Sequence, residues 1–210
     1  VDPSEGIKDG EHPGAQVFKV PGMIEVCAFM APIEATSIGD LCYALGRNYN
    51  DALIGVESNN HGLTTIERLK LLKYSNQYWR EYWDRAYKKR TEKYGWHTNS
   101  DTKKFMVDEA RLAIRRGEIV FRNIESVKQH LSYQFYFRPD GSIKCMEHAP
   151  GKQACFVITT AIGLQLGRNV HINEPIKDDS MRVGSFGWYA NKLERENSWK
   201  ESKRFGGSGW

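Results

Sequence analysis

The sequence holds no run of eighteen apolar residues, so it offers no membrane-spanning helix. It shows no internal repeat, which sets repeat arrays aside. No G-x-x-x-x-G-K-[ST] phosphate loop occurs, so the chain should not hydrolyse ATP. Cysteine is scarce. Cys27, Cys42, Cys145 and Cys155 have no framework spacing and read as free thiols of a reducing compartment. In "CMEH", Cys145 and His148 stand at a metal-ligand spacing with Cys155 nearby. No second close pair completes the four ligands of a structural zinc site. The opening "VDPSEG" is polar from its second residue, unlike a signal peptide. It reads as the end of a strand whose first half is missing, as in a piece of a longer protein.

What is present is a folded chain of 210 residues, 40% hydrophobic and 12% aromatic. That suits one domain with an extension. The net charge of +4 is compatible with a nucleic-acid partner and does not demand one.

"GAQVFKV" and "MIEVCAFMAP" read as strands joined by a Pro21-Gly22 turn. "TSIGDLCYALGRNYN" has the helical spacing Ile38, Leu41, Cys42, Leu45, with Thr36 or Ser37 as cap. "DALIGVES" is a short apolar strand. The stretch from "TTIERL" to "AYKKR" is expected to run on as one helix. "SDTKKFMVDEARLAIRRGEIVF" reads as a capped helix stopped by Gly117, then a strand. A helical turn and a hairpin closing at Pro139-Asp140-Gly141 follow. "ACFVITTAIGLQLG" reads as an apolar helix. Strands first, then helices alternating with strands, predict an α/β chain with a mixed sheet. Residues 168–210 have little apolar periodicity and end in the flexible composition "KRFGGSGW".

Two acids stand out. Asp2 and Glu57 each sit at an apolar strand end. A desolvated carboxylate is costly unless paired or metal-bound. Two brought together make a hard-oxygen site for Mg²⁺ or Mn²⁺, and such ions support phosphodiester hydrolysis. Spacing alone favours the plainer reading, in which Glu57 caps a turn and Asp2 is a solvated end residue.

"VDPSEGIKDGE", "YALGRNYNDALIGVESNNHGLTTIERL" and "YGWHTNSDTKKFMVDEARLAIRRGEIVFRN" together resemble the nuclease domain of the large terminase subunit of tailed bacteriophages. The similarity runs in order from Asp2 to about Gly167. The resemblance implies an RNase H-like (RuvC-like) fold over residues 1–167, with a mixed central β-sheet flanked by helices. Residues 168–210 would form a C-terminal extension. It implies metal-dependent cleavage of double-stranded DNA without strong sequence preference. Asp2 and Glu57 take the places of metal-binding acids, and Asp9 is a further contributor. Asn59, Asn60 and His61 would lie on the rim, touching phosphate or orienting the ligand, and Gly62 would free the backbone to turn. The capsid portal and the small subunit follow as partners, with the ATPase on another part of the protein. The host-cell cytoplasm follows as the location.

One motif departs from the family. Its third acidic site usually opens an apolar helix just after a glycine. Here Lys152, Gln153 and Ala154 fill those positions. Three explanations stand: an inactive form, a local loss, or substitution by another acid, with Glu147 nearest in sequence. Asp178 and Asp179 lie beyond a helix that would carry them roughly 18 Å away.

For DNA contact, Lys103 and Lys104 open the helix after "GWHTNS", where free backbone N–H groups favour an anion. Simple N-capping is an equal reading. On a helix, Tyr74, Tyr78 and Tyr82 would align, as would Trp79 and Trp83. One reading is a platform against DNA with Lys88, Lys89, Arg90 and Lys93 on phosphates, but the aromatics are expected to be mostly core. The alternatives to a nuclease are an inactive DNA-binding or portal-docking module, and another RNase H-like nuclease such as a resolvase.

Overall fold

The computed structural model describes residues 1–4, 10–59, 61–84, 88–137, 139, 143–148 and 153–169. The expectations for Asp9, Asn60, Lys152, the Glu147 side chain and residues 170–210 lie outside the described residues. Val1–His171 is one compact unit, and the description is confined to it.

β1 (Gly14–Lys19) and β2 (Ile24–Met30) pair antiparallel. Gly22 turns between them at φ +100, a left-handed value that glycine adopts without steric cost. Two helices follow, α1 (Ala35–Asn48) and α2 (Gly62–Leu71). The hairpin β3 (Trp79–Asp84) and β4 (Lys89–Tyr94) comes next, then α3 (Ser100–Arg115) and α4 (Ile124–Ser132). β5 (Tyr133–Phe137), β6 (Ile143–His148) and α5 (Cys155–Asn169) complete the described elements.

The α/β mixture matches expectation. Its ladders are three two-stranded antiparallel sheets. Isolated bridges extend the pairing: Val120 to Ile24, Asp2 to Gly14, Ile54 to Gln77, and Glu57 to Trp96. The predicted strand "DALIGVES" is thus reduced to bridge residues. Its side chains still alternate as a strand's do. Ile54 and Val56 join the core of Ile38, Cys42, Ile66 and Leu69 from α1 and α2. Leu53 packs on the other core, built on α3 and α5. A Cβ on Gly55 would lie 2.1 Å from Leu166 of α5. The segment that delivers Glu57 is therefore held from both sides.

The expected long helix through residue 90 is corrected. α2 ends at Leu71 in a Schellman motif. The Lys73 N–H donates to Lys70 O (2.9 Å) and the Tyr74 N–H to Leu69 O (3.0 Å). Lys73 holds the left-handed φ of 56, and Leu69 and Tyr74 share a core, the apolar contact that accompanies this stop. No glycine marks it. Beyond it, "WREYWD" and "KRTEKY" pair as β3 and β4, suited to strands by their aromatics. The aromatics expected in the core divide: Tyr74 is buried, whereas Trp79, Tyr82 and Trp83 are 45%, 40% and 56% exposed.

Two caps also differ. α1 begins after Glu34, whose side chain makes no cap bond, so Thr36 and Ser37 lie inside the first turn instead of capping it. α3 is capped by Asn99, whose side chain accepts from the N–H groups of Asp101 and Thr102, while the Thr102 hydroxyl returns to the Asn99 N–H. Gly117 ends α3 as predicted, at φ +71.

One buried acid escaped notice. Glu25 is 1% exposed. Its Oε1 accepts from Gln16 Nε2 (2.7 Å) and Ser126 Oγ (2.6 Å). Its Oε2 accepts from the N–H groups of Arg122 (2.9 Å) and Asn123 (2.8 Å) at the start of α4. No helix among the described residues is long and apolar enough to cross a membrane.

Candidate functional site

The first two residues form the centre of the site. Asp2 exchanges both backbone bonds with Gly14, each 2.9 Å. On the other side, the Val1 nitrogen donates to Gly55 O (2.8 Å) and the Glu57 N–H donates to Val1 O (2.9 Å). Asp2 and Glu57 are therefore brought together on adjacent extended segments, although 54 residues of chain separate their backbones.

Their carboxyls interact. Burial holds the Asp2 carboxyl well above the usual carboxylate range, reinforced by the charge of Glu57 and by a hydrogen bond between the two side chains. A raised Asp2 carboxyl avoids the repulsion that a second negative charge beside Glu57 would create. Glu11 adds a smaller push in the same direction. Nothing in the isolated sequence singled Glu11 out.

The polar rim is partly built as expected. Asn59 Nδ2 donates to Glu57 Oε1 (3.3 Å) and to Thr98 O (3.0 Å), tying the glutamate to the corner before α3. Ser58 Oγ donates to Trp96 O (2.9 Å). His61 occupies the N-cap position of α2 without a side-chain cap bond. Gly62 is needed for space: a Cβ there would lie 1.7 Å from Glu57 O. Glycine at this position is what lets α2 start directly beneath the acid.

The start of α5 closes the other side. Gly14, the partner of Asp2, admits Cys155, since a Cβ on it would lie 2.6 Å from the Cys155 sulphur. Burial pushes the Cys155 thiol up to about 12, helped by the charge of Asp2, so it stays protonated near neutrality and is no thiolate ligand. Cys27, Cys42 and Cys155 are free thiols.

The two positions where the resemblance expects acids are occupied otherwise. Gln153 grips the turn before β1 with both ends of its amide. Its Nε2 donates to Gly10 O (2.9 Å), and its Oε1 accepts from the His12 N–H (2.9 Å). Ala154 is 8% exposed and belongs to the α3–α5 core. Gln129, from α4, caps α5 by accepting from the Phe156 N–H (2.8 Å). Gln153 and Gln129 are thus positioning groups that no sequence motif announced.

The α3 start is less suited to an anion than expected. Asn99 already takes the N–H groups of Asp101 and Thr102, and Asp101 adds negative charge to the first turn. Lys103 is half-buried and Lys104 exposed on that turn.

Among the described residues, no group of three or more His, Cys, Asp or Glu is arranged to hold a metal ion. Among these residues, Asp2 and Glu57 are the two carboxyls brought together. Two carboxylates fit Mg²⁺, which typically keeps several waters and takes further oxygens from a phosphate substrate.

No protein-family model matches the chain, and no curated protein matches it. Among solved structures, the chain is similar to one described as the crystal structure of the large terminase nuclease from thermophilic phage G20c. The TM-score is 0.58, with 78% of each chain covered and 12% identity. At that identity the likeness establishes the fold.

Proposed function

We propose that this chain is the nuclease domain of a viral DNA-packaging terminase large subunit, with an RNase H-like fold, cutting double-stranded DNA. The observation that carries this reading is the meeting of Asp2 and Glu57 in a fold shared with a terminase nuclease. On this reading the β1–β2 ladder and the bridges at Asp2, Ile24, Ile54 and Glu57 would belong to a central mixed sheet with the two acids at its rim.

Mg²⁺ or Mn²⁺ held by Asp2 and Glu57 would supply the charge that activates water and stabilises the leaving oxygen of a phosphodiester. The chain's own part is positional. Asp2 and Glu57 would hold the cation, with the Asp2 carboxyl losing its proton as it does so. Asn59 holds Glu57 Oε1 in place, and the Gln153 clamp fixes the turn that leads from Asp2 into β1. The capsid portal and the small subunit are further partners on this reading, and the host cytoplasm is the location.

A second reading is favoured by Gln153 and Ala154. With one committed to backbone and the other to the core, the described residues supply two acids where the resemblance expects more. A DNA-binding or portal-docking module without cleavage activity would have this form.

Nicking of supercoiled plasmid with Mn²⁺ and with Mg²⁺, beside Glu57→Ala, separates the two. The nuclease reading expects cleavage that falls at least about 100-fold in the variant. A folded protein that binds duplex and cuts with neither ion supports the docking module. Cleavage undiminished in Glu57→Ala removes the acid pair from the mechanism.

A further inference from the structure

The β3–β4 hairpin is rooted in the segment that carries Glu57. The Tyr78 N–H donates to Ile54 O (2.9 Å), the Trp96 N–H to Val56 O (2.7 Å), and the Ser58 N–H to Trp96 O (2.7 Å). The Gly95 N–H closes the root onto Tyr78 O (2.9 Å), and the Tyr78 and Trp96 rings pack at 5.8 Å. Gly95 is required there: a Cβ would lie 2.8 Å from Val56 O, and its φ is +87. The root therefore has a fixed position relative to the acid pair. From it, strands of six residues project about 20 Å at ~3.3 Å per residue.

Residues directly opposite in an antiparallel ladder share a face. The register places Arg80 opposite Lys93, Tyr82 opposite Thr91, and Asp84 opposite Lys89. The other face carries Trp79 with Tyr94, Glu81 with Glu92, and Trp83 with Arg90. Like charges directly opposite one another are destabilising, and both faces contain such a pair. They are treated differently. On the acidic face Glu81 Oε2 has a counter-ion, Arg90, at 3.1 Å. On the basic face the Lys93 ammonium lies 3.9 Å from the centre of the exposed Tyr82 ring. Arg80 Nε is a buried donor without an acceptor among the described residues. Among the described residues, the cationic pair is thus left without the counter-ion that the acidic pair has in Arg90.

We propose that the Arg80–Tyr82–Lys93 face of this hairpin is a contact for the phosphate backbone of duplex DNA. The choice of partner rests on the nuclease reading above. A polyanion relieves the Arg80–Lys93 repulsion, and the fixed root ties the bound duplex to the segment that carries Glu57. The contact is electrostatic and independent of sequence, because it addresses phosphates rather than base edges.

The test is the salt dependence of duplex binding by the full chain, measured by fluorescence anisotropy of a short labelled duplex in EDTA, where metal-dependent cleavage is silent. Each phosphate contact contributes about one unit to the slope of log affinity against log salt. Arg80→Gln with Lys93→Gln is expected to make that slope shallower by about two. Glu81→Gln with Glu92→Gln, on the opposite face, is expected to bind no more weakly than the parent. Arg80→Lys with Lys93→Arg preserves both charges and should keep the parent slope, which separates lost charge from a disturbed hairpin. A parent slope retained in the double glutamine variant overturns the hairpin contact and leaves the nuclease reading standing. A parent chain that neither binds duplex at any salt nor cleaves it overturns both.

Discussion

Glu25 is buried and Asp2 half-buried in the same compact unit, and their surroundings are opposite. Glu25 receives four donors: Gln16, Ser126 and the N–H groups of Arg122 and Asn123. Even its neighbour is satisfied, since Gln16 Oε1 accepts from the hydroxyls of Thr159 (2.5 Å) and Thr160 (2.9 Å). Asp2 instead faces the carboxyl of Glu57, and burial compounds the conflict. A carboxylate surrounded by donors is a structural anchor, because its desolvation is repaid by charge-assisted bonds. A carboxyl opposed by another carboxyl lacks that compensation. The same functional group is therefore placed in two opposite settings, and burial alone does not tell them apart.

The largest expected effect separates the two by stability. Glu25→Ala leaves Gln16, Ser126 and two backbone N–H groups without their acceptor, and should cost about 3 kcal/mol or more in urea unfolding. Glu57→Ala should cost far less, because it removes a repulsion with Asp2. Comparable losses from the two substitutions would break the contrast. Smaller, at about 1–2 kcal/mol, is Gln153→Asp. The shorter side chain cannot bridge Gly10 O and the His12 N–H together. An aspartate there is expected to weaken the fold, and binding of Mn²⁺ followed by calorimetry shows whether it gains a ligand in return.

The smallest effect is a change of slope. The folded Asp2 carboxyl is raised above its unfolded value, so its contribution to stability is fully present below the unfolded pKa. It is lost as pH rises through the folded pKa. Metal-free protein should therefore weaken with rising pH above the ordinary aspartate range, and Asp2→Asn should flatten that fall. Urea midpoints across pH measure it, and an identical slope in the variant would remove Asp2 as the cause.

Much of the architecture was legible because its signals are local. Gly117 announces the end of α3, the apolar run from Cys155 announces α5, and the turn after Lys19 announces the β1–β2 hairpin. The end of α2 was not legible, because Lys73 holds the left-handed stop that glycine usually marks. The hairpin beyond was hidden for the same reason: its aromatics also satisfy a helical spacing, and nothing local said that the helix had ended. At the site, Asp2 and Glu57 were identified from motif and position. Asn59 was placed on the rim, and the Gly62 requirement was found with a different cause, close approach in place of turning freedom. Gln153 could be seen only as a missing acid.

What the sequence determined by itself was the inventory: which acids stand at apolar ends, where most helices start and stop, and that the positions before α5 carry no carboxylate. These follow from side-chain chemistry and short-range periodicity. Only the tertiary structure decided which acids meet. The pairing of Val1 with the segment from Gly55 to Glu57 joins Asp2 to Glu57, while the turn into α4 brings Arg122 and Asn123 to Glu25. Solvation and charge act through distance in space, and contacts between residues far apart in the chain set those distances.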